Sequence, residues 1–222
     1  MGIKKLPSID GKERRFRRER LRSRLFFRLT AALYPLIEKQ LAPRYEKALE
    51  EFSLPAEMTV LDLATGTGCL AAAFARRGHA VTGLDFSRTL LKRAARRFDD
   101  IRFEAFDLAF LSQKKSLSFD IVAAGFFLHG ISPEFRADIL ANMARLAAGY
   151  VVIFDYAEGG GWFVRLIEWF EGPHYRTFAA VPRQKEFREA GLEVERSLDC
   201  AGFCRAWLCR PNPGTGSDVF IR

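Results

Sequence analysis

Residues 60–68, Val60-Leu61-Asp62-Leu63-Ala64-Thr65-Gly66-Thr67-Gly68, constrain this chain more than any other stretch. An apolar, strand-forming run meets a carboxylate and turns through small residues. It then passes at once into Cys69-Leu70-Ala71-Ala72-Ala73-Phe74-Ala75, a small-residue helix pattern. Strand, glycine turn and helix in this order open a nucleotide-type βαβ unit, in which glycines let the backbone approach a ligand that side chains would block. A second strand, Ala80-Val81-Thr82-Gly83-Leu84, ends on Asp85, 23 residues after Asp62. An acid there can accept both hydroxyls of a ribose lying across the two strand ends. The pattern implies a cofactor containing adenosine.

Gly66-x-Gly68-x-x-Ala71 also fits the dinucleotide fingerprint, so NAD is one reading. Two features favour S-adenosylmethionine (SAM). Asp62 stands just before the turn, where a pyrophosphate would meet like charge but a cationic amino-acid moiety would be helped. A third acid follows in Phe103-Glu104-Ala105-Phe106-Asp107-Leu108, 22 residues after Asp85 and again at an expected strand end. Its carboxylate can accept from an adenine amino group while Phe106 and Leu108 cover the ring.

The series resembles the class I SAM-dependent methyltransferases over about residues 55–210. The resemblance implies that Val60–Gly68 is the glycine-rich first motif, with Asp62, Ala64, Gly66, Thr67 and Gly68 at the cofactor. It likewise implies that Asp85 with Phe86 holds the ribose and that Phe106, Asp107 and Leu108 hold the adenine. Phe119–His129 looks like the fourth strand and its active-site loop, with Gly125 and Phe126 against the cofactor. The likeness is closest to the ubiquinone/menaquinone-biosynthesis type (methyltransferase type 11-like), which reads L-D-x-A-x-G-T-G. Ala64 departs from the more general E-x-G-x-G-x-G pattern but agrees with that branch.

The fold class expected is α/β: a Rossmann-like three-layer sandwich whose mostly parallel seven-stranded sheet carries a C-terminal antiparallel hairpin and an N-terminal helical extension. Residues 1–52 read as a basic helical extension or lid, 53–210 as the SAM-dependent domain and 211–222 as a flexible tail. Strands are expected near 58–63, 79–84, 101–105, 119–124, 150–155, 192–199 and 203–209, the last two meeting around Ala201-Gly202. Helices are expected near 12–40, 44–52 and 69–77, with Pro35 and Pro43 as kinks or breaks. Ser87 and Ser132 are N-cap candidates, the second followed by Pro133, and Gly149 is the expected stop of the helix that Ser132 opens.

Charge is unevenly placed. Residues 1–47 hold 14 Lys/Arg against 5 Asp/Glu, whereas the rest is nearly balanced at 21 against 22, so the arm accounts for the formal +8. Leu21, Leu25 and Leu29 recur at helical spacing within it, as an amphipathic basic helix requires. Three uses compete for residues 12–28: a solvated face packing over the cofactor cleft, contact with an anionic membrane, and nucleic-acid phosphate binding. No run of about 18 apolar residues suggests a spanning helix, and no apolar h-region follows the basic N-terminus. With four cysteines and no paired framework, the expected place is the cytoplasm, or peripherally the inner face of a membrane. Cys200, Cys204 and Cys209 have the wrong spacing for a zinc knuckle, and no metal is expected.

The activity expected from the resemblance is methyl transfer from SAM, leaving S-adenosylhomocysteine (SAH), to a small apolar acceptor such as a quinone precursor or lipid-like molecule. A base is needed only where the acceptor must lose a proton. His174, beside Tyr175 in a Gly-Pro turn, and His129, after the fourth strand, are candidates for that role, and Tyr34 resembles the family's N-terminal aromatic that closes over SAM. Phe126, Phe127, Trp162, Phe163, Trp169, Phe170 and Phe178 supply apolar lining. The alternatives are an RNA or protein methyltransferase using the basic arm, a SAM-binding protein without turnover, and an NAD-binding oxidoreductase. Ala124-Gly125-Phe126-Phe127 stands where amino-group methylation of nucleobases uses an Asn-Pro-Pro-Tyr-type tetrapeptide.

Overall fold

The computed structural model describes residues 34–114, 117–157, 178, 180–200 and 203–212. The basic arm at 12–28, His174, Trp162, Phe163, Trp169, Phe170 and the hairpin tip Ala201-Gly202 lie outside the described residues. Helix α1 is Tyr34–Phe52, and strand β1 (Thr59–Leu63) leads into α2 (Cys69–Ala75). Next come β2 (Ala80–Asp85), α3 (Arg88–Ala95), β3 (Arg102–Ala105) and a 3-10 segment, Leu108–Gln113. Strand β4 (Phe119–Gly125), a 3-10 turn (Leu128–Gly130), α4 (Pro133–Leu146) and β5 (Ala147–Tyr156) follow. The described chain closes with α5 (Arg183–Glu189), β6 (Leu192–Asp199) and β7 (Cys204–Pro211).

The seven strands form one sheet in the order β3-β2-β1-β4-β5-β7-β6. The first five are parallel, and β7 runs antiparallel to both β5 and β6. Strand order reverses between β1 and β4, the switch point at which open α/β sheets form a crevice beyond the carboxyl ends of their strands. Alternation along the central strands feeds two cores. Leu61, Leu63, Val122, Ala124, Val151 and Ile153 pack with Ile139, Leu140 and Met143 of α4 on one face. Val60, Ile121, Ala123, Val152 and Phe154 pack with Leu70 and Phe74 of α2 and Tyr45, Leu49 and Phe52 of α1 on the other. The three-layer α/β sandwich expected from the sequence is the fold.

Local signals set most boundaries. Ser87 Oγ accepts from Leu90 N at 3.4 Å and opens α3, and Ser132 Oγ accepts from Phe135 N at 3.4 Å and opens α4 with Pro133 at its first position. Three expectations need correction. Helix α1 runs unbroken through Pro43. Burial of Tyr45, Ala48, Leu49 and Phe52 outweighs the hydrogen bond a proline cannot make, and Arg44 donates from Nη1 to the Gln40 carbonyl in the same turn. Gly149 is no helix stop: α4 ends at Leu146, and Gly149 lies inside β5, where a β-carbon would stand 3.0 Å from the Asp120 carbonyl oxygen. Strand β7 continues through Pro211, and Asn212 N donates to the Gly191 carbonyl at 2.8 Å, so ordered chain reaches past residue 210.

Candidate active site

Leaving β1, the chain adopts positive φ at Ala64 (55°), Gly66 (57°) and Gly68 (82°). Thr65 N donates to the Leu84 carbonyl and Gly68 N to the Thr65 carbonyl, both at 2.9 Å, which ties the turn to the end of β2. Gly68 is required on two counts: its backbone is left-handed, and a β-carbon would come within 2.9 Å of the Phe103 ring. Over Gly66 the space is open, with nothing nearer to a hypothetical β-carbon than the Ala64 carbonyl oxygen at 4.0 Å.

Asp62 is buried in β1 and accepts from Thr65 Oγ1 at 2.6 Å. Burial raises its carboxyl to about 7, with the nearby Asp85 carboxylate adding to the rise and the Thr65 hydroxyl and Ala71 N–H opposing it. Asp85, the last residue of β2, is held by the backbone: Gly66 N donates to Oδ2 at 2.9 Å and Ser87 N to Oδ1 at 2.7 Å. Burial raises its carboxyl as well, and those two N–H groups oppose the rise. Phe106 N donates to the Asp85 carbonyl at 2.9 Å, so the β3 loop is tied to the same edge. Asp107 lies two residues beyond β3, not at the strand end expected for it. Its Oδ1 accepts from Ala109 N at 3.1 Å and opens the 3-10 segment that contains the buried Leu108. Phe86 follows Asp85 directly and is half-buried.

The β4 end supplies the second half of the site. Gly125 is glycine because Tyr45 of α1 crosses it: a β-carbon would lie 2.8 Å from the Tyr45 hydroxyl. Phe126 follows at φ 51°, its N–H donating to the Phe154 carbonyl at 2.7 Å. Its ring meets Tyr156 and Phe203 at centroid distances of 5.2 and 6.1 Å. His129, on the 3-10 turn, is buried with Nδ1 2.6 Å from Asp155 Oδ1, and Tyr156 N donates to the same oxygen at 2.8 Å. Asp155 Oδ2 accepts from Leu128 N at 2.9 Å and His129 N at 3.3 Å. Arg136 Nη1 donates to the Leu128 and Ile131 carbonyls at 3.3 and 3.1 Å, so the turn bearing His129 is held from both ends.

Asp62, Ala64, Gly66, Thr67, Gly68, Asp85, Phe86, Phe106, Asp107, Leu108, Gly125, Phe126 and His129 all fall at the carboxyl edge of the parallel strands. Tyr34 is the first residue of α1, and His174 lies outside the described residues. Two further residues of this edge carry no motif. Asp155 is the one acid of an otherwise apolar strand, and that is its signal in the sequence. Glu38, on α1, is buried, accepts from Thr67 Oγ1 and pairs with Arg97 Nη1 at 2.5 Å. An acid within an apolar helix face was its only trace in the sequence.

Comparison with known proteins shows what this core is similar to. The methyltransferase-domain family model matches residues 60–148. Over 100 residues the chain is 37% identical to a demethylmenaquinone methyltransferase of Renibacterium salmoninarum, a match covering 44% of this chain and 41% of that relative. The chain thus matches less than half the length of the curated relative. Among solved structures, the SAH-bound form of CalO1, a methyltransferase in calicheamicin biosynthesis, is 21% identical with a TM-score of 0.64, covering 83% of this chain and 58% of that one. The SAH-bound magnesium protoporphyrin IX methyltransferase of Synechocystis is 16% identical with a TM-score of 0.58, over 78% and 84%. At such identities the solved structures carry the fold alone: the segment similar to a methyltransferase domain lies in a sandwich of the kind these two enzymes have. Among the described residues no helix is long and apolar enough to cross a membrane, and no group of three or more His, Cys, Asp or Glu could hold a metal ion.

Proposed function

We propose that this chain transfers the methyl group of SAM to a small, apolar acceptor whose reacting group carries a dissociable proton, with His129 as the base that takes it. One observation carries the reading. The glycine turn, with Asp62 on β1 and Asp85 closing β2, and the buried His129–Asp155 pair, on the turn after β4 and on β5, lie along one sheet edge, on either side of the strand-order switch.

The residues present suit the cofactor. Each Asp85 oxygen takes one backbone N–H, which leaves each a lone pair for one hydroxyl of a vicinal diol. The open space over Gly66 admits a ligand against bare backbone, and Asp62 offers a carboxylate to a cationic amino group. When bound, SAM supplies a methyl group on a sulfonium, which needs an aligned nucleophile and a dry site. Alignment of that kind is worth roughly 7–11 kcal/mol.

The chain's own residues do the rest. Asp85 and Asp107 orient the adenosine, and Phe106 and Leu108 cover the adenine. Phe126, Tyr156 and Phe203 keep water from the reacting atoms and offer an apolar surface to the acceptor. Asp155 accepts from His129 Nδ1–H, which leaves Nε2 as the basic nitrogen of that tautomer. Proton removal from a hydroxyl by Nε2 is worth about 10²–10⁴-fold in rate. The relative named demethylmenaquinone methyltransferase makes an apolar, quinone-type ring a natural first acceptor to try.

The test is transfer of labelled methyl from SAM to a panel of phenolic and quinol acceptors by the wild-type chain and by His129→Gln. The variant is expected to keep SAH affinity within about twofold and to lose about 10²–10⁴-fold of turnover on hydroxyl acceptors. Undiminished turnover in the variant removes His129 from the chemistry. No transfer to any acceptor by a wild-type chain that binds SAH tightly favours the non-catalytic reading.

A further inference from the structure

Strands β6 and β7 pair with Asp199 opposite Arg205, so the next rung toward the turn sets Cys200 opposite Cys204. Cys200 N–H donates to the Cys204 carbonyl at 2.8 Å, closing that rung. Opposed residues in an antiparallel ladder have Cα atoms about 4.5–5.5 Å apart and send their side chains to one face. A disulfide spans Cα separations of about 4.4–6.8 Å. Both cysteines lie in the same core, with Tyr45, Phe154 and Leu208, whereas Cys209 belongs to the core on the opposite face.

The Cys200 S–H points to the Leu198 carbonyl at 3.6 Å. The neighbouring Cys204 side chain draws the Cys200 thiol below its ordinary range, against the opposing effects of burial and of Asp199 and Glu51. The Cys200 side chain and burial drive Cys204 upward. Cys69 and Cys209 are each pushed up to about 12 by burial. Of the four thiols, Cys200 alone is drawn downward, and Cys204 faces it across the rung. A low-lying thiol next to a resolving one is the arrangement redox-sensitive pairs use.

We propose that Cys200 and Cys204 are a redox-modifiable dithiol that a peroxide converts to an intramolecular disulfide while the fold is retained. The Cys200 thiolate sulfur attacks one peroxide oxygen, the O–O bond breaks, and the sulfur becomes a sulfenic acid as the other oxygen leaves as water. The Cys204 sulfur, losing its proton, then attacks the Cys200 sulfur and expels the sulfenic oxygen as a second water. Two thiols give up two electrons and two protons, and one peroxide becomes two waters. The bridge closes across the turn bearing Phe203, whose ring packs on Phe126 and Tyr156.

The experiment treats the folded, full-length chain with hydrogen peroxide, then denatures it in excess alkylating agent and maps cysteine peptides by mass. The expected result is a peptide carrying Cys200 and Cys204, unalkylated and lighter by two hydrogens, that regains both alkylation sites after dithiothreitol. Cys69 and Cys209 stay alkylated throughout, and the circular dichroism of the oxidised chain is unchanged. In Cys204→Ser the reaction stops at a sulfenic acid on Cys200 that dimedone traps. Full alkylation of both cysteines after peroxide overturns the proposal. So do separate sulfinic or sulfonic acids without a bridge, a disulfide involving Cys69 or Cys209, and a bridge that forms only once the chain has unfolded.

Discussion

Ala64 carries a β-carbon at φ 55°, where an L-residue is held against its steric preference by about 1–2 kcal/mol. Glycine removes that strain but gives back some unfolded-state entropy, about 0.4–1 kcal/mol. Ala64→Gly is therefore expected to raise stability by about 0.5–1 kcal/mol in chemical denaturation, and a loss of stability would mean that the methyl group packs usefully. Asp62 makes a pH-dependent prediction. Its carboxyl sits at about 7 in the folded chain and ordinarily at 3.8, so between these values the folded chain keeps a proton that the unfolded chain has lost. Stability without cofactor then falls as pH rises through this window and levels off above it, by roughly 2 kcal/mol between about pH 5.5 and about pH 7.5. Asp62→Asn should flatten that slope. An identical slope in the variant would assign the effect to other groups. A cation bound beside Asp62 favours its ionised form, so SAH affinity should strengthen with pH over the same window, with proton release visible by calorimetry in buffers of different ionisation enthalpy.

At the scale of elements, helix α1 is fastened to the site at two points. Tyr45 crosses Gly125 so closely that Gly125→Ala must displace either the helix or the β4 loop, at a cost of about 1–3 kcal/mol. Because the hydroxyl is the nearest obstacle, Tyr45→Phe should recover more than half of that loss in a double-mutant cycle, and strict additivity would contradict the account. Glu38 is the second fastening, from α1 to Thr67 in the glycine turn and to Arg97. Its replacement by Ala should cost about 1–3 kcal/mol of stability, since it strips a buried carboxylate from two donors, and an unchanged denaturation midpoint would show that the helix is held by its apolar face alone. These fastenings could not be read from the sequence. A glycine turn announces itself through φ requirements within a few residues, whereas Glu38–Thr67 and His129–Asp155 join residues more than twenty positions apart with no motif linking them. Pro43 misled for a related reason: proline reports the local cost of a helix, but the burial of Tyr45, Leu49 and Phe52 that outweighs it is tertiary.

For the whole molecule, alternation and turn chemistry made the sheet legible. A β5 apolar but for Asp155 reads as a central parallel strand, and the ladder β3-β2-β1-β4-β5 with its antiparallel end follows from right-handed crossovers and a closing hairpin. That order brings Asp62, Asp85 and His129 to one edge from positions spread across 68 residues of chain. The proposed activity requires this edge to be an adenosyl site, and calorimetric titration of the wild-type chain and Asp85→Ala with SAH and with NADH tests that most directly. The prediction is SAH binding by the wild type, weakened in the variant by roughly 1.5–3 kcal/mol as a charged acceptor of two hydroxyls is lost, with no NADH binding by either. Tight NADH binding without SAH binding, or SAH affinity untouched by the loss of Asp85, would contradict it.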